Sequence, residues 1–116
     1  MTTVKLVFID YRNAIYQGGF QNKKREGKGL LLTDFNHLFV GNWHSDMLEG
    51  PCLVLHDRTT FVLANFTNGK LNGDYVYYGD EEILYTSFSA NIPSSSIVEI
   101  DNKIKKAYLL ENRSSA

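Results

Sequence analysis

Short apolar runs recur along this chain at a fixed interval. Leu6-Val7-Phe8-Ile9 aligns with Gly29-Leu30-Leu31-Leu32, Cys52-Leu53-Val54-Leu55 and Tyr75-Val76-Tyr77-Tyr78, each 23 residues after the one before. Between them runs a second series in which ring, small residue and ring alternate: Tyr16-x-Gly18-x-Phe20, Phe39-x-Gly41-x-Trp43 and Val62-x-Ala64-x-Phe66. Both series read as strands, being short, rich in β-branched or aromatic residues, and bounded by Gly, Asp or Asn. Side chains alternate along a strand, so Tyr16, Gly18 and Phe20 share one face. Residues 22–26 form a charged turn after the first ring strand. The third unit carries Thr67-Asn68-Gly69-Lys70 at that place, and Asn-Gly is among the strongest hairpin signals. The spacing predicts an all-β chain, an antiparallel meander of stacked hairpins in about four to five repeats of 23 residues.

In columns the chain reads Tyr16, Phe39, Val62, Tyr85; then Gly18, Gly41, Ala64, Ser87; then Phe20, Trp43, Phe66; then Gly27, Gly50, Gly73. A residue without a side chain leaves a flat patch of backbone across which a ring from a neighbouring strand can lie. Hairpins joined in this way form an elongated, twisted sheet stabilised by nearest neighbours. The domain spans 1–110, with a half repeat at 4–15, repeats at 16–38, 39–61 and 62–84, a divergent last repeat at 85–110, and a tail at 111–116. Tyr16, Gly18, Phe20, Gly27, Gly29, Phe39, Gly41, Trp43, Gly50, Phe66, Gly73 and Tyr85 are the expected packing residues.

Aromatic-x-Gly-x-aromatic, a turn and then Gly-x-Gly, on this period, resembles the MORN (membrane occupation and recognition nexus) repeat. Tyr16-x-Gly18-x-Phe20 with Gly27-x-Gly29 matches best, and Phe66-Thr67-Asn68-Gly69-Lys70-Leu71-Asn72-Gly73 is similar to the family's aromatic-x-Asn-Gly-x-x-x-Gly segment. Cys52 and Tyr75 replace the second glycine, and the fourth unit lacks most of the pattern. The resemblance implies a single-layer sheet and a non-catalytic role, as a scaffold, a self-associating rod, a part of a ciliary or cytoskeletal assembly, or a membrane-apposing module.

The apolar runs change the picture further, because a half-solvated sheet should alternate and these do not. Strands apolar on both faces are usually covered on both. The stripe Ile9, Leu32, Leu55, Tyr78 with Val7, Leu30, Leu53, Val76 is therefore the expected partner surface, covered by another chain or by residues 97–110. Val4 to Ile9 also presents an edge open to strand addition.

Composition adds exclusions. The chain has 116 residues, a formal net charge of -1, and 43% hydrophobic against 22% charged residues. That suits one folded domain and gives no overall pull toward nucleic acid. Cys52 is the lone cysteine. It cannot form an intrachain disulfide, which fits a reducing compartment, and the expected location is intracellular, cytoplasmic or cytoskeletal. Lys23, Lys24, Arg25 and Lys28 form a basic turn, the basis of an alternative role as a peripheral module on anionic phospholipid or phosphoinositide. His37, His44, His56 and Cys52 show no ligand spacing of a zinc site, and no serine or cysteine sits in a nucleophile turn. No enzyme activity, cofactor or metal is expected. The expected function is protein–protein interaction, within a larger assembly or a homo-oligomer.

Overall fold

The computed structural model describes residues 4–100, so the expected tail at 111–116 and most of the segment to 110 lie outside the described residues. The described chain is all strand and turn, in one open antiparallel sheet. The strands are β1 (Lys5–Asp10), β2 (Ala14–Gln21), β3 (Lys24–Thr33), β4 (Leu38–His44), β5 (Met47–Leu55), β6 (Phe61–Thr67), β7 (Lys70–Leu71), β8 (Gly73–Tyr78), β9 (Ile83–Ser89), β10 (Ile92–Pro93) and β11 (Val98–Ile100). Each pairs with the next in chain order, β7 and β8 both returning along β6, and β10 and β11 both lying on β9. This is the meander of hairpins that the period predicts.

Four hairpin tips have positive φ at both central residues: Asn22-Lys23, Ser45-Asp46, Asn68-Gly69 and Ala90-Asn91. Positive φ at both positions is the two-residue turn whose twist matches that of the flanking strands. Below each of the first two tips the returning strand carries extra residues. From Gly18 to Phe20, β2 advances two residues while β3 runs from Gly29 back to Arg25; β5 does the same against Gly41 and Asn42. The residues that absorb the bulge are Gly27 and Gly50, at φ 86° and 79°, and Gly73 stands at the equivalent place with φ 104°. A bulge of this kind bends the strand and tightens its twist.

The register also defines two faces. On the ring face, Tyr16 pairs with Leu31, Leu31 with Phe39, Phe39 with Val54, Val54 with Val62 and Val62 with Tyr77. Beside that row lie Gly18, Gly29, Gly41, Cys52 and Ala64, also opposite one another in succession. Large side chains fold over this small-residue row, in which Gly29, Cys52 and Ala64 are buried and Gly18 and Gly41 half-buried. Tyr16 is fully buried, and Cys52, Val54, Val62 and Ala64 form a buried cluster against which Phe39, Leu48, Phe66, Leu71, Tyr75 and Tyr77 pack.

Two positions depart from the strict period. The β8–β9 register pairs Tyr77 with Leu84 and Val76 with Tyr85. Tyr85 is therefore on the face opposite Tyr16 and is not part of the ring ladder; Leu84 and Thr86 take the places expected for Tyr85 and Ser87, and Phe88 follows them on the ring face. The cause is a link one residue shorter. Residues 33–37 and 56–60 join the earlier paired rows, whereas only 79–82 separate Tyr78 from Ile83. The N-terminal half repeat slips in the same way, with Val7 opposite Gly18 and Ile9 opposite Tyr16. Because side chains alternate, a one-residue slip moves a whole strand's side chains to the other face.

Candidate functional site

The face opposite the rings carries two unbroken rows of large side chains. One runs Ile15, Leu32, Leu38, Leu55, Phe61, Tyr78, Ile83, Ile100, and the other runs Phe8, Gln17, Leu30, Val40, Leu53, Leu63, Val76, Tyr85, Val98. Only Gln17 in the two rows is polar without an aromatic ring. Leu63 is 43% exposed, Phe8 68% and Leu6, beyond the second row, 86%. Phe61 and Tyr78 stack at 4.6 Å across the strands, which stiffens the middle of the face. Between Leu6, Phe8, Leu30 and Val40 on one side and Lys28, Asn42 and Pro51 on the other is an open trough of about 730 Å³.

Of the expected partner residues, Leu30, Leu32, Leu53, Leu55, Val76 and Tyr78 share this aliphatic face. Val7 and Ile9 do not; the slip in β1 turns them to the ring face and puts Leu6 and Phe8 in their stead. Of residues 97–110, Val98 to Ile100 pair as an edge strand on β9, and those from 101 lie outside the described residues.

The basic turn is divided. Arg25 points to the ring face, where its guanidinium lies 4.3 Å over the Trp43 ring and its Nε donates to Asp46 Oδ1 at 2.7 Å. Burial pushes the Asp46 carboxyl up, and hydrogen bonds from the Arg25 side chain and backbone more than offset this, leaving it lowered. Lys24 and Lys28 are exposed on the aliphatic face and Lys23 is at the tip, so the four cations do not form one patch.

The ring ladder holds Tyr16 edge-on to Trp43, centroids 5.7 Å apart, with the Tyr16 hydroxyl donating to the Gly19 carbonyl at 2.7 Å. Burial raises the Tyr16 pKa. The indole Nε1 of Trp43 is buried without a hydrogen-bond partner. Cys52 is buried beside Gly41, and burial pushes its thiol up to about 11, so at neutral pH it is a protonated, apolar filler.

Two arrangements were not anticipated from the sequence. Glu26, Glu49 and Asn72 form a column immediately before the bulge glycines, and each side chain accepts from the first N–H of the next hairpin's turn: Ser45 N at 3.1 Å, Asn68 N at 2.8 Å and Ala90 N at 3.2 Å. Beside each, a main-chain carbonyl (Arg25, Leu48, Leu71) accepts from the second turn N–H, that of Asp46, Gly69 or Asn91. The Ser45 N–H, then the His44 ring, hold the Glu26 carboxyl below its usual range. The signal was present as an acceptor side chain before Gly27, Gly50 and Gly73. The second arrangement is His37 beside His56, 19 residues apart in sequence and with Nε2 and Nδ1 3.3 Å apart. Among the described residues no group of three or more His, Cys, Asp or Glu converges.

No family model matches the chain, and no curated protein matches it.

Proposed function

We propose that this chain is a non-enzymatic, MORN-like repeat module that binds another protein through its aliphatic face. One observation carries the reading: two rows of large apolar side chains run across the sheet from Ile15 to Ile100 and from Phe8 to Val98, with no second layer among the described residues. Contiguous apolar surface of this extent marks an interaction site in soluble proteins. The bulges and stacked turns make that surface stiff, so a partner would bind it with little ordering cost. A lipid role draws less support, since Arg25 is engaged by Asp46 and Trp43, and the remaining lysines are spread between the tip and the aliphatic face.

The test is a double substitution, Leu53→Glu with Leu63→Glu, in the full chain. Light scattering and co-purification from the native source should show a self-associated or partner-bound wild type. The variant should be a free monomer with an unchanged far-ultraviolet spectrum. A wild type that stays monomeric and recovers the same proteins as the variant refutes the reading. Sedimentation with anionic vesicles that depends on Lys23, Lys24 and Lys28 but ignores Leu53 and Leu63 would favour the membrane alternative instead.

A further inference from the structure

The sheet ends on β1 at one side and on β9, with its short companions β10 and β11, at the other. An open edge offers unpaired N–H and C=O groups to other chains, and proteins blunt it with short strands, proline, bulges or charge. The β9 side is blunted in this way. Its outer edge is split between β10, two residues ending in Pro93, and β11, three residues. β1 differs in each respect. It runs for six residues without proline, and its register with β2 is unbroken from Lys5–Phe20 to Asp10–Ile15. Its only charges are Lys5 and Asp10, at its two ends.

One hydrogen bond tells which main-chain groups β1 leaves open. Tyr11 N donates to the Ala14 carbonyl at 2.8 Å, in the same register as Asp10–Ile15. Bonded and non-bonded pairs alternate along an antiparallel ladder, so Ile9–Tyr16, Val7–Gly18 and Lys5–Phe20 are the bonded pairs. The far side of β2 keeps the same phase: Asp34 N donates to the Asn13 carbonyl at 3.0 Å, which assigns Ile15 and Gln17 to the bonded pairs with β3. The N–H and C=O groups of Leu6 and Phe8 therefore point away from β2, and no strand lies beside them among the described residues. The same two residues are 86% and 68% exposed.

A strand that fits this edge needs outward main-chain groups and apolar side chains at alternate positions. β1 is itself such a strand. We infer that two copies of this chain pair through β1, antiparallel about a two-fold axis at Val7. Leu6 of each copy then stands opposite Phe8 of the other, and each such pair exchanges two main-chain bonds. Antiparallel order also sets the Lys5 end of one copy beside the Asp10 end of the other, where parallel order would bring like charges together. An axis at Phe8 would oppose Leu6 to Asp10, and one at Leu6 would oppose Phe8 to Val4, outside the strand.

Leu6 and Phe8 are on the aliphatic face, so this pairing joins the aliphatic faces of two copies into one surface. Six residues a side make a contact below about 1,200 Å², the size of a transient one. Pairing therefore grows with concentration and is absent from the dilute chain in which the aliphatic face is tested.

Residue-resolved amide exchange of the full chain, at about 50 μM and about 1 mM, reads the edge directly. In the dilute sample Leu6 and Phe8 should exchange freely, while Val7 and Ile9 are protected by β2. In the concentrated one Leu6 and Phe8 should slow at least about threefold, with sedimentation showing a dimer and nothing larger. Leu6→Lys and Phe8→Glu should each abolish the slowing, and the two together should restore it, because the axis then sets a cation opposite an anion twice. Both side chains are mostly exposed, so these changes spare the fold. Free exchange at Leu6 and Phe8 in the concentrated sample, or a double variant no better than either single one, overturns the pairing. Leu53→Glu with Leu63→Glu should leave the slowing intact, which separates this edge from the aliphatic-face reading; slowing that disappears in that variant counts against the edge.

Discussion

Glycines at different places on a hairpin serve different physical needs. A methyl group built on Gly29 would meet the Tyr16 ring, 2.5 Å from Cε1 and 2.7 Å from Cζ, whereas one built on Gly27 would meet nothing within 4 Å. Gly29 is needed for space and Gly27 for its φ of 86°. Gly29→Ala should cost about 1–3 kcal/mol through overpacking, and Gly27→Ala about 1–2 kcal/mol through left-handed strain. The two are separable by urea denaturation in a Tyr16→Leu background. There the penalty at Gly29 should shrink, because the ring that it meets has gone, while the penalty at Gly27 should persist. Equal penalties in both backgrounds would show that Tyr16 does not lie on Gly29.

Hairpins are joined to one another at their tips as well as through the sheet. Glu49 accepts from Asn68 N at 2.8 Å, so Glu49→Ala should lower stability by about 1 kcal/mol, while Glu49→Gln, which keeps an acceptor oxygen, should retain most of it. Chemical denaturation of the two variants checks this, and equal losses would mean that charge matters more than the hydrogen bond. Lys23 holds φ 63° at a turn position that favours glycine, so Lys23→Gly should raise the melting stability by about 0.5–1 kcal/mol. The loop at 56–60 brings a pH dependence. The Thr59 N–H, followed by the Thr60 N–H, holds Asp57 down at about 2, against an ordinary value of 3.8. A carboxyl depressed on folding contributes its full stability above the ordinary value and loses it as pH falls toward about 2. The gap between wild type and Asp57→Asn in thermal melts should therefore be constant near neutrality and close below pH 3.8.

Across the whole molecule, the two faces of one sheet have unequal roles in folding. Val62 on the ring face is 1% exposed and Leu63, its neighbour on the aliphatic face, 43%. Val62→Ala should cost about 2 kcal/mol, and Leu63→Ala under about 1 kcal/mol, in urea melts of the isolated chain. Substitutions at Leu63 should instead be felt in association. If Leu63→Ala proved the costlier change in a monomer, the aliphatic face would be part of the folding core and not a docking surface.

Much of this architecture was legible in residue order. Tyr16, Gly18 and Phe20 and their copies at 23-residue spacing announce antiparallel hairpins, because alternation and turn chemistry are local properties of the chain. What could not be read is anything that depends on the count of residues in a link or on distance across strands. A link shorter by one residue turns Tyr85 away from the ring ladder, and the slip in β1 exchanges Val7 and Ile9 for Leu6 and Phe8 on the aliphatic face. The Glu26, Glu49 and Asn72 column meets turns 18 or 19 residues away, and His37 meets His56 through a pairing that no local spacing encodes. Periodicity along the chain thus specifies the hairpins, while the strand register, set by link length and bulges acting together, assigns each side chain to its face and its neighbours.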